Sequence, residues 1–250
     1  MEVHHHPHVE KKSFKEYFLE FLMIFLAVTM GFFAESLREK IVNNEKETHY
    51  LQGIAEDLKQ DTAELSVVLK YQNILLKKMD SALSIPVADL KKIDVQDTFF
   101  HQFFYFYSWE KEFVQNNNTF TQLSNGSGFS VIRRQETIDS ISRLNTNCIF
   151  EVIDNGKYYL NYYDKVVEFA TQLMDLPVIP PTYDDTLLTI IPHKKEIFTR
   201  YDIPLLKELY SKIRYEKGCL VFYMIEEKKY LNQVNSVINY LNKEYQLSKE

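Results

Sequence analysis

From Phe21 to Ala34 the chain reads FLMIFLAVTMGFFA, fourteen residues with no charge and with Thr29 as the one polar side chain. As a helix this run is about 21 Å long, short of the roughly 30 Å hydrocarbon layer; beginning at Tyr17 extends it to about 27 Å and takes in Glu20. Its apolar residues, among them Phe18, Phe21, Phe25 and Phe33, are spread around the whole helical circumference. A helix that is apolar all round needs complete enclosure by protein or by lipid. Charged residues flank the run on both sides, so lipid is the simpler enclosure and the pattern predicts a single membrane span. A cleaved signal peptide fits less well. The run ends GFFAES, which puts Phe32 where cleavage requires a small residue.

The pattern then continues without a stop. No proline occurs between Pro7 and Pro86, and only Gly31 and Gly53 interrupt. A heptad frame through Met23, Leu37, Leu51, Leu58 and Leu65 on one row and Ala27, Ala34, Ile41 and Ala55 on the other is mostly apolar, and polar residues surround it beyond the span. One long helix with one apolar seam is expected. Two uses of that seam are open. It packs against helices of its own chain, or it pairs with a second copy, with Ala27 and Gly31 as a small-residue contact in lipid, Asn44 fixing register, and Leu51, Leu58 and Leu65 continuing the interface.

After Pro86 the pattern becomes rich in aromatics. FFHQFFYFYSWEKEF, from Phe99 to Phe113, suits either a core helix or an aromatic contact surface built on Phe99, Phe103, Tyr107 and Trp109. In NNNTFTQLSNGSG, Thr119 is expected to cap a short helix, and Gly126 and Gly128 to supply a turn with positive φ. Helical spacing returns from Gln135 and runs on to Asp175, with Asn155-Gly156 as a possible kink. Pro177, Pro180 and Pro181 exclude a helix in the next stretch. Asp202 with Pro204 marks a helix start, and Leu206, Leu209, Ile213 and Leu220 begin a pattern that reaches almost to the end. The expected fold is all-α: a flexible tail over 1–13, a transmembrane segment over 14–40, a helical bundle with a long first helix over 41–175, a proline-containing insertion over 176–202, and a long final helix over 203–247 that packs on the bundle.

Composition agrees with this picture and narrows the function. With 6 Gly and 7 Pro in 250 residues, breakers are scarce. The net charge of −6 and the lack of a basic block argue against nucleic acid as a partner. No nucleophile elbow, zinc-protease, CxxC, phosphate-loop or dinucleotide pattern occurs, so no catalytic residue and no cofactor is assigned. Asp57 with Asp61 and Glu226 with Glu227 fit solvated helix faces. The metal candidates are the tail histidines His4, His5, His6 and His8, since imidazole suits zinc and copper. Cys148 and Cys219 lack metal-ligand spacing and would pair only in an oxidising compartment.

The opening stretch HHPHVEKKSFKEYFLEFLMIFLAVTMGFFAESLRE resembles the start of a family of uncharacterised single-pass membrane proteins of Bacteroidota bacteria. TFTQLSNGSGFSVIRRQETIDSI, Thr119 to Ile141, is similar to an internal motif of that family, and the two segments together cover about a quarter of the chain. The resemblance implies a bacterial envelope protein with a native histidine-rich start, and it implies no activity. Lys11, Lys12 and Lys15 on one flank balance Arg38, Lys40 and Lys46 on the other, so positive charge does not set orientation. The short amino-terminal flank favours that end inside, which places the body in the periplasm. The expected role is a membrane-anchored interaction or scaffold protein of the inner membrane. Its partners would be the lipid bilayer, a second copy or an unidentified protein. A sensor or ligand-binding module signalling through the long helix is the alternative, and an enzyme is a distant third.

Overall fold

The computed structural model describes residues 13–108, 112–126, 128–176 and 197–247. Among them there is no β-strand; a single antiparallel bridge joins Met174 to Phe198. The expected all-α class is observed. The helices are α1 (Phe14–Ser84), α2 (Ile93–Ser108), α3 (Asn118–Asn125), α4 (Gly128–Val131), α5 (Gln135–Arg143), α6 (Ile149–Thr171) and α7 (Ile203–Tyr245). A 3-10 turn, Val87–Lys91, precedes α2, and a π-helical turn, Leu144–Cys148, joins α5 to α6.

The chain divides into two units, one up to His49 and one from Tyr50 onward. In the first, every described side chain from Phe21 to Ile41 is exposed. Among the described residues, α1 is the one helix long and apolar enough to cross a membrane, by length and composition, and none of its most apolar stretch is buried. Thr29 returns its hydroxyl to the Phe25 carbonyl at 2.7 Å, which satisfies the one polar side chain of the run within the helix itself.

The second unit holds the core. From Leu51 onward α1 buries Leu51, Leu58, Leu65 and Met79, and beside them a further row of Ile54, Val68, Leu75 and Ala82. A coiled-coil seam is two rows wide, whereas this stripe is wider and is enclosed by the rest of the bundle. The intrachain use of Leu51, Leu58 and Leu65 is therefore the observed one, and these residues are not available to a second copy. α7 packs antiparallel to α1. Tyr230 bonds Asp61, Lys217 pairs with Asp80, and the Tyr210 hydroxyl donates to the Ile85 carbonyl at 2.9 Å. α6 also runs antiparallel to α7: the Tyr159 ring stacks on Tyr223 with centroids 6.2 Å apart, and Lys212 lies over Phe169.

Local signals explain several element ends. α7 starts at the expected residue, where the Asp202 carboxylate accepts from the Leu205 amide at 3.3 Å and Pro204 occupies the first turn. α6 continues through Gly156 without a break. This glycine lets Tyr223 approach, since a Cβ there would lie 3.2 Å from the ring. The positive φ expected at Gly126 and Gly128 is absent, because no described glycine has one. Gly128 is required by packing instead: a Cβ would stand 2.8 Å from the Leu123 Cα. Thr119 lies inside α3, not at its cap. The 176–202 insertion falls largely outside the described residues.

Candidate functional site

A polar network in the second unit joins α1, residues Gln115 and Asn116, the π-helical turn and α7. Asp61 lies one turn beyond Leu58 and one before Leu65, so α1 carries its carboxylate into the core. One oxygen accepts the Asn116 amide at 2.7 Å, and the other accepts the Tyr230 hydroxyl at 3.2 Å. Gln115 donates to that phenol oxygen at 3.0 Å and to the Asn145 side chain, on the π-helical turn, at 2.8 Å. One turn earlier, the Asp57 carboxylate accepts the Thr119 amide at 2.8 Å. Thr119 is in the first turn of α3, whose amides lack intrahelical acceptors, so α1 caps α3 from outside its own segment. Desolvation raises the Asp61 carboxyl to about 6, and the Asn116 and Tyr230 bonds oppose that rise.

This clamp makes a direct prediction. Asp61→Ala leaves the Asn116 amide and the Tyr230 phenol with one acceptor fewer inside the protein, and should destabilise the bundle by about 2–3 kcal/mol at pH 7.5. Tyr230→Phe removes a donor and spares the Asn116 bond, so it should cost about 1 kcal/mol. Urea unfolding of both single variants and the double variant measures this. Equal losses from the two singles would rule out the clamp as the stronger contribution.

Two further acids on α7 are fully buried, Glu216 and Glu227. Neither has a hydrogen-bond partner among the described residues. Burial pushes Glu216 up to about 8. Glu227 is pushed up to about 7 by desolvation, with Gln72 and Tyr223 the polar groups that most oppose the shift. Both stand near the carboxylate without closing a hydrogen bond of normal geometry, and the Gln72 amide itself is buried without a partner. The expectation of solvated faces is thus corrected for Asp61 and Glu227. The signal was present in the spacing: Glu216 follows Ile213 by three and precedes Leu220 by four, and Glu227 stands between Tyr223 and Tyr230 in the same manner. An acid in phase with the apolar row is a core residue whatever its charge.

The predicted site residues fare differently. Phe18, Phe21, Phe25, Ala27, Gly31 and Phe33 lie on the exposed apolar part of α1, and a Cβ at Gly31 would meet nothing. Asn44 is half-buried. Phe99 and Phe103 are fully buried and stacked on each other at 5.9 Å, with Phe99 also stacked on Tyr210 at 5.6 Å. They are core residues and cannot form a contact surface. The Tyr107 side chain, Trp109 and the tail histidines His4, His5, His6 and His8 lie outside the described residues. Cys148 and Cys219 are both free thiols. No group of three or more His, Cys, Asp or Glu among the described residues is arranged to hold a metal.

Two clefts are lined by described residues. One, of about 250 Å³, lies between the π-helical turn and α7 and is lined by Ser140, Arg143, Cys148, Gln233, Ser236 and Tyr240 among others. The other, of about 160 Å³, lies between α6 and α7 around Tyr162 and Tyr215. No protein-family model matches the chain, and no curated protein or solved structure matches it.

Proposed function

We propose that this protein is a membrane-anchored helical scaffold of the bacterial envelope, with the first part of α1 crossing the inner membrane once and the helical bundle on the periplasmic side. The observation that carries this reading is the exposure of an uninterrupted apolar helical surface. Side chains from Phe21 to Ala34 point outward on all sides, and none is covered. Leaving such a surface in water is costly at about 25 cal/mol per Å², and lipid removes that cost without a protein partner. The resemblance of residues 5–39 to single-pass envelope proteins supports the same reading.

Membrane fractionation tests the anchor. The full-length protein should stay with the membranes through high salt and alkaline carbonate and be released only by detergent. A reporter joined after Glu250 should be active only where periplasmic enzymes are active. Recovery of intact protein in the soluble fraction would reject the anchor, and a reporter active only in the cytoplasm would reject the orientation.

A further inference from the structure

We propose that the cleft between α6 and α7 lined by Tyr162, Lys165, Val166, Ser211, Lys212 and Tyr215 binds a phosphate-class oxyanion. The cleft holds about 160 Å³, enough for a phosphate group and a few attached atoms. Two lysines, a serine and two tyrosines line it and no acidic residue does, in a chain of net charge −6. Lys165 has no ion pair among the described residues; its ammonium stands 4.4 Å from the centre of the Tyr162 ring. Lys212 lies 5.0 Å over the Phe169 ring and keeps a pair with Glu208 one turn away at 3.5 Å. That single carboxylate leaves the cleft with a net positive charge.

The phenols strengthen this assignment. Tyr158 and Tyr215 bring their hydroxyls within 2.9 Å of each other, and the Tyr162 ring lies 4.4 Å from that of Tyr215. The neighbouring Tyr158 and Tyr215 hydroxyls lower the pKa of the Tyr162 phenol, burial opposes them, and the Lys165 charge adds to the lowering. Positive potential excludes a metal cation as the natural occupant. Lysines act as point charges toward phosphate, whose dianion matches two ammonium groups and accepts from several hydroxyls. A carboxylate matches only one. The inference goes beyond the scaffold reading and does not require the membrane anchor, because every residue in it belongs to the bundle.

The test uses full-length protein in an uncharged detergent. Inorganic phosphate, acetate and chloride are titrated at fixed ionic strength, with binding read by calorimetry and by phosphorus NMR line width. Phosphate should bind saturably and at least about tenfold more tightly than acetate. Lys165→Gln and Lys212→Gln should each weaken it by about tenfold or more, whereas Lys165→Arg and Lys229→Gln should not. A second arm adds phosphatidic acid or phosphatidylcholine to the micelles. Binding confined to phosphatidic acid and lost in the glutamine variants identifies a lipid headgroup as the source of the phosphate. Binding of inorganic phosphate alone identifies a soluble ligand. Absence of binding in both arms, equal affinity for acetate, or binding that survives the double glutamine variant overturns the proposal. Melting curves of the variants check that they are folded; Lys165 is exposed and Lys212 half-buried.

Discussion

Acidification from pH 8 to pH 5.5 should stabilise the bundle, raising its melting temperature by on the order of 10 °C. Three buried carboxyls produce this effect. Glu216 is raised from 4.5 to about 8, Glu227 from 4.5 to about 7, and Asp61 from 3.8 to about 6. Each binds its proton more tightly in the folded state than in the unfolded chain. Their contribution is therefore complete below the unfolded value near 4 and is lost as pH rises through the folded values up to about 8. Glu216 alone weakens the fold by about 3 kcal/mol at neutral pH relative to acid. It carries the clearest control, since its carboxylate has no hydrogen-bond partner among the described residues and is fully buried. Glu216→Met keeps the length and removes the ionisation. At pH 8 it should stabilise the protein by about 3 kcal/mol and flatten the upper part of the pH profile. Urea midpoints at several pH values measure both. A wild-type stability that falls on acidification, together with a destabilised Glu216→Met, would show that the carboxylate is held ionised by a bound cation.

These acids also show how far the sequence reached. The start of α7 was legible because Asp202 and Pro204 are local signals: one side chain caps the helix and the other has its φ already set. The length of α1 was legible because no proline interrupts it before Pro86. The clamp was not legible. Asp57 and Asp61 meet Asn116 and Thr119 from more than fifty positions away, and no local pattern encodes that pairing. The role of Gly128 is hidden for the same reason. Turn residues suggest positive φ, whereas the actual constraint is the approach of Leu123. The α6–α7 cleft has no sequence signal, because its residues come from two helices and resemble ordinary helix positions in each. The histidine-rich tail is the most conspicuous feature of the sequence, yet it lies outside the described residues.

The seam of α1 supports the second large prediction. Replacing Leu51, Leu58 and Leu65 together with Asp should unfold the second unit and leave α1 unable to hold α7. Leu51 and Leu65 are fully buried and Leu58 is nearly so. Each substitution forfeits about 2–5 kcal/mol of core packing, and it also places a charge where desolvation must raise its pKa or expel it. Three such losses exceed the 5–15 kcal/mol that a domain of this size usually commands. Leu58→Ala alone should cost about 3 kcal/mol, a loss the fold should survive. Far-UV circular dichroism and amide exchange in detergent distinguish two outcomes. In the first, protection is lost across α6 and α7 together with α1, as expected when the leucines belong to one intrachain core. In the second, the triple variant keeps full helicity and protection while light scattering reports a smaller particle. That second outcome would mean that these leucines face another copy, contrary to the wide buried stripe formed with Ile54, Val68, Leu75 and Ala82. Ala27 and Gly31 lie outside this test because no other side chain packs at Gly31. Gly31→Leu separates the two regions: it should leave the stability of the bundle unchanged, and any change it produces in particle size must arise from the membrane segment alone.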